Sequence, residues 1–309
     1  MEKLTKEIKR EKPLDLTTWP KISNLCDISQ ERVLQTENMH LLDSEKGNPM
    51  SDHGIEGIDI SYYRLTRYLL LMSLTQTDIS DRMRDLFEPM WYNELARAYE
   101  VVWDFAKVFY KDFEEILQVH EDALTDSGIK NAAFFISRCL LLYRKPTYAN
   151  FVLIATFLCY IASAFYADTK CFRILYACEF CFVVLYKRKF WKVFNSQENC
   201  KKFLLFCDEL NEQNCGKPKP AQLNTAFFES WIKLVKGSIY VAVDSFILND
   251  SEVKLFKMVY TVSNSKLRPL SQERRAILRA LLDDEDYEHH RLSCDTECHE
   301  YLDYVYEYE

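Results

Sequence analysis

Glycine is almost missing from this chain: 6 in 309 residues, about 2% against a usual ~7%. Proline, at 8, is also low. A chain so poor in turn formers cannot make the many tight hairpins of an all-β sandwich or barrel. The same scarcity removes phosphate-cradling loops. Neither G-x-x-x-x-G-K-[ST] nor G-x-G-x-x-G occurs, which excludes the nucleotide-binding α/β folds built on them. Two catalytic signatures, G-x-S-x-G and H-E-x-x-H, are absent as well. No motif here names a reaction, so no cofactor is assigned.

Hydrophobic residues, by contrast, make up 48% of the chain, with 20 Phe and 19 Tyr. The first twenty residues are charged throughout and lack the apolar region of a secretory signal. Eleven cysteines are scattered from Cys26 to Cys298. Without a secretory signal they read as reduced, mostly buried thiols, and the expected setting is cytoplasmic or nuclear. The stretch 149–167 (ANFVLIATFLCYIASAFYA) holds 19 residues without a charge, about the length that crosses a bilayer. The preferred reading is a buried central helix, because Ala155, Ala162, Ser163 and Ala164 allow close helix packing. A membrane span is the alternative.

Residues 1–57 read as a mostly disordered arm. They are polar, lack sustained periodicity and carry Pro13, Pro20 and Pro49. From about Asp59 the pattern turns helical. Tyr62, Leu65, Tyr68, Leu69 and Met72 share one face. Leu95, Tyr99, Val102, Phe105, Phe109 and Phe113 share another on 92–120. Further helices are expected at 129–143, 149–167, 171–187, 197–212, 223–236, 239–248, 251–262 and 271–282. The β-branched run Ile239–Val243 also reads as a strand, though one without a partner. Cys215–Pro220 is a linker and places a possible sub-boundary at 213–221 within a helical domain over 58–282. The fold class is all-α: a multi-helix globular bundle or an irregular HEAT-like helical stack, with a flexible N-terminal arm and an acidic C-terminal tail.

Charge is segregated. The tail, 283–309, carries eleven acids against the single Arg291, so the whole net charge of −8 belongs to it and the rest of the chain is slightly positive. In the body, Lys187, Arg188, Lys189, Trp191 and Lys192 interleave cations with aromatic rings. Such a surface suits an acidic partner protein. Nucleic acid is a weaker match, because the sequence pI of 5.4 is acidic. At the terminus, Tyr301, Tyr304, Tyr306 and Tyr308 alternate with acids. This segment suits docking into a basic, aromatic-lined groove on this chain or on a partner.

The densest ligand cluster is 289–299, where His290, Cys294 and Cys298 share one helical face. Spread over two turns and with no C-x-x-C among them, they do not make a zinc site by themselves. Glu114, Glu115, His120, Glu121 and Asp122 lack the Glu-x-x-His spacing of a carboxylate-bridged centre and read as a charged helix face. No metal site is assigned.

Residues 131–168 read as a helix, a Pro-containing turn and an apolar helix ending in Ile161-Ala162-Ser163. This resembles the middle of a cyclin box, including that of the Speedy-type kinase activators. The resemblance covers 38 residues and implies a protein kinase as partner. In that family the helix ends near Ala-Ser-Lys-x-Glu-Glu. Here Ala164 replaces the lysine, and Tyr166 and Ala167 replace the acids. The expected function is a non-enzymatic interaction module: an adaptor, scaffold or regulatory subunit. A kinase activator and a membrane-associated protein are the alternatives.

Overall fold

The computed structural model describes residues 59–88, 90, 94–120, 128–214, 226–242 and 246–260. The arm, the linker at 215–220, the predicted helix 271–282 and the acidic tail lie outside them. Among the described residues the fold is all-α, with nine helices: α1 Ile60–Leu74, α2 Asp81–Phe87, α3 Ala96–Val119, α4 Gly128–Leu142, α5 Tyr148–Thr169, α6 Arg173–Leu185, α7 Gln197–Asn214, α8 Ala226–Ser238 and α9 Asp250–Leu255. Five-residue π-helical segments extend α6 (Tyr186–Phe190) and α9 (Phe256–Tyr260).

The uncharged segment becomes α5, and α1, α3, α4 and α6 pack around it. Of its side chains, Phe151, Leu153, Phe157, Leu158, Cys159 and Ile161 are fully buried. It is the one helix among the described residues long and apolar enough to cross a membrane, and 83% of that window is covered by protein. Two of its polar side chains are satisfied within the helix itself. Thr156 donates to the Val152 carbonyl at 2.7 Å and Ser163 to that of Tyr160 at 2.9 Å.

Both ends of α5 are fixed by specific chemistry. Pro146 keeps the preceding residue out of the helix, and the Thr147 side chain caps the Asn150 amide at 3.3 Å. Asn150 is itself buried. Its amide nitrogen donates to the Leu142 carbonyl at 2.8 Å, and its oxygen accepts from the Arg144 and Lys145 amides. This one side chain therefore closes the α4–α5 turn. At the other end Lys170 adopts a left-handed conformation, φ 51°, where helices usually place glycine. Its ammonium reaches the Asp78 carbonyl at 2.6 Å.

α3 buries the stripe that its periodicity predicts, Tyr99, Val102, Phe105, Phe109 and Phe113 among them. Glu179, a charge within the apolar α6, is fully buried. It accepts the Tyr63 hydroxyl at 2.8 Å, and Arg67 lies 3.6 Å away, so α1 and α6 are joined by polar contacts within their apolar interface. The buried thiols of Cys139, Cys159, Cys178, Cys181 and Cys207 are pushed above the usual range by desolvation, and that of Cys200 to about 12. All six stay neutral and packed.

Two expectations are corrected. Residues 239–248 do not form a helix among the described positions. Residues 239–242 do not form the alternative strand either, since Ile239–Tyr240 turn and 241–242 are irregular. The physical reason is that the side chains of His120, just past α3, and Arg138 of α4 take the carbonyls of Ile239 and Val241. The short helix α2 was not predicted. Its signal is Ser80, whose side chain caps the Met83 amide at 3.2 Å.

Candidate functional site

The basic run 187–192 lies where α6 gives way to the π turn. The Trp191 amide bonds back to the Tyr186 carbonyl at 2.8 Å, the five-residue spacing of that geometry. Tyr186, Phe190 and Phe194 recur every four residues, and all three are buried. Phe190 and Phe194 pack on Phe151 of the central helix with ring centroids 5.6 and 4.7 Å apart. The Tyr186 hydroxyl takes the Asp59 amide at 3.3 Å, which ties the turn to the start of α1. With these rings held inside, the residues between them are left at the surface.

Those cations do different things. Arg188 makes a two-point ion pair with Glu252 of α9, at 2.7 Å from Nε and 2.5 Å from Nη2. Its guanidinium lies 4.4 Å from the Phe246 ring centroid. Arg188 therefore holds α9 and its preceding segment on the turn. Lys187 is half-buried, and desolvation lowers its pKa while nearby Glu252 opposes the shift. The Lys189 ammonium rests 5.3 Å from the Tyr143 ring centroid, and that of Lys192 5.3 Å from the Trp191 centroid. Neither Lys189 nor Lys192 has a carboxylate partner among the described residues. Trp191 is 45% exposed. Ile247, whose carbonyl accepts from Arg188 at 3.4 Å, is 85% exposed. Two ring-bound lysines and an exposed indole thus lie within one turn on a base of buried rings, and the exposed Ile247 adjoins that turn through Arg188.

Ile247 and Glu252 were not legible as parts of this surface. They meet the turn across more than fifty residues of sequence, and no local spacing signals that contact. Tyr301, Tyr304, Tyr306 and Tyr308 lie outside the described residues, as do His290, Cys294 and Cys298. Among the described residues no three His, Cys, Asp or Glu side chains converge as metal ligands. Ala164 and Tyr166, at the positions where the cyclin box carries its gripping lysine and first acid, are buried in α5.

A second polar cluster holds the segment after α8. His120 Nε2 lies 2.9 Å from the Ile239 carbonyl, and Arg138 donates to the Val241 carbonyl at 2.7 Å. The Phe246 amide donates to Ser137 at 2.9 Å, and the exposed Tyr240 hydroxyl donates to Glu115. Arg138 is only 2% exposed, and its pKa is pushed down to about 10 by desolvation. Burial also lowers the His120 pKa, opposed by its bond to Ile239 and reinforced by the neighbouring Arg138 charge. Below the unfolded imidazole pKa, near 6.5, the unfolded chain binds the proton more readily. Stability conferred by His120 is therefore full above that pH and falls as pH drops through the lower folded value. Thermal melts from pH 7.5 to 5 will show this slope, and His120→Gln will flatten it.

Comparison with protein-family models, with curated proteins and with solved structures finds no match to this chain.

Proposed function

We propose that this protein is a non-enzymatic interaction module, an adaptor, scaffold or regulatory subunit acting in the cytoplasm or nucleus, and that it binds acidic segments of partner proteins at Lys189, Trp191 and Lys192. The observation that carries this reading is the pair of lysines resting on aromatic rings without carboxylate partners among the described residues. A ring face holds an ammonium without neutralising it. An incoming carboxylate then gains a charge contact without breaking an existing ion pair, while Trp191 and Ile247 offer apolar area. The reading takes the body as a globular bundle, because one helix is enclosed by four others, whereas each repeat of a stack touches only its neighbours.

The test is charge reversal. Lys189→Glu with Lys192→Glu leaves every described ion pair intact, so folding is expected to be unchanged by circular dichroism. Affinity for a random Glu/Tyr copolymer at low ionic strength is expected to fall at least tenfold, and the affinity of the native chain to weaken with added salt. Equal affinity of the two chains at low salt would remove this surface from consideration.

A cyclin-box-like kinase activator remains the second reading, on the helix–turn–helix formed by α4 and α5. With Ala164 and Tyr166 buried, such a partner has to use another face. Co-purification with a kinase, together with its stimulation, separates the two readings.

A further inference from the structure

The reading above leaves open what covers the basic turn when no partner is bound. We infer that the chain's own acidic terminus, 300–309, docks on Lys189, Trp191 and Lys192 and competes with external acidic partners. The inference rests on the proposed surface but adds a distinct claim, that the site is regulated in cis.

Three observations carry it. The first is charge complementarity. Glu300, Asp303, Glu307 and Glu309 alternate with Tyr301, Tyr304, Tyr306 and Tyr308, while the turn offers two ring-bound ammonium groups beside an exposed indole. Acid and ring alternate in the tail much as cation and ring do on the surface. Carboxylate–lysine contacts and tyrosine stacking on Trp191 can therefore form together.

The second is where the described chain ends. Its last element, α9 with its π turn, is joined to the basic turn by Arg188–Glu252. The chain thus leaves the described fold from an element already fastened beside the surface. The third is length. The 39 residues 261–299 span roughly 130 Å when extended. With 271–282 helical, as its sequence predicts, the span is still about 110 Å. A body of this size has a radius of gyration of about 17 Å, so the tail reaches the turn in either case. Tethering at this length gives an effective concentration on the order of 1 mM, enough for a weak contact to be populated.

The experiment uses the full chain throughout. A zero-length carbodiimide cross-linker joins lysine to carboxylate in contact, and mass spectrometry of an equal mixture of isotopically light and heavy chains separates cis from trans products. In parallel, binding of the Glu/Tyr copolymer is measured for the native chain and for a full-length variant with Glu300→Gln, Asp303→Asn, Glu307→Gln and Glu309→Gln. The expected results are cis cross-links from Lys189 or Lys192 to 300–309, lost at high salt, and about tenfold tighter copolymer binding by the neutral-tail variant. Cross-links carrying the statistical share of mixed-isotope pairs that random intermolecular pairing gives would overturn the inference. So would unchanged copolymer affinity without cis cross-links, in which case binding sensitive to K189E/K192E leaves the surface reading standing. Failure of both chains to bind the copolymer, with no cis cross-links, overturns the surface reading and the inference together.

Discussion

Phe151→Ala is expected to destabilise the fold by about 3–5 kcal/mol, the range for deleting a large buried ring. Phe151 is fully buried near the start of α5, and its ring meets those of Tyr62, Phe182, Phe190, Phe194 and Phe203 at centroid distances of 4.7–6.0 Å. These five rings come from α1, α6, the π turn, the segment after it and α7. Removing the sixth leaves a cavity that no single helix can fill by shifting, because each is held elsewhere on α5 or α3. The loss is a large share of the 5–15 kcal/mol that stabilises a typical domain. Denaturant unfolding followed by circular dichroism measures it. Phe151→Leu, which keeps much of the volume, is expected to cost less than half as much. Equal stability of the Phe151→Ala and native chains would show that α5 is not the organising centre of the core.

Glu252→Ala is expected to release α9 from the body, with most of the fold left intact. Glu252 is buried and does two jobs. Its carboxylate takes both contacts from Arg188, and it closes a capping box with Asn249. Breaking a buried ion pair typically costs about 3–5 kcal/mol, and because the Arg188 side chain is 33% exposed a smaller loss, about 2–3 kcal/mol, is expected here. Loss of the capping contact adds roughly 1 kcal/mol. Hydrogen exchange followed by mass spectrometry will show faster exchange over 249–260 and unchanged protection in α5. Glu252→Gln separates the two jobs, since glutamine still reaches back to the Asn249 amide but carries no charge for Arg188. It is expected to lie between the native chain and Glu252→Ala. Unaltered exchange in both variants would mean that the Arg188–Glu252 pair does not hold α9.

Much of the helical layout was legible because apolar periodicity and punctuation agree. The stripe on α3 has one unbroken helical period, and Pro146 with Thr147 fixes where α5 starts. The 239–248 segment was misread for the opposite reason. Its β-branched residues carry a local preference, yet His120 and Arg138, more than a hundred residues earlier, take its carbonyls and hold it irregular. The basic turn was legible as composition, since aromatics and cations alternate over seven residues. The division of labour within it was not. Arg188 and Lys189 are neighbours of like charge, and only the position of Glu252 makes one a clamp and the other an open contact.

Composition and period, which act through propensity and burial at short range, thus determined by themselves that the described part of this chain is helical, that 149–167 is an uncharged apolar helix within it and that negative charge is concentrated at one end of the sequence. Tertiary structure alone decided that α1, α3, α4 and α6 cover that helix, and which cations on the turn remain open to a partner. Those outcomes depend on contacts between residues far apart in sequence, whose energies are set by distance and solvent exclusion in the folded chain and leave no trace in local spacing.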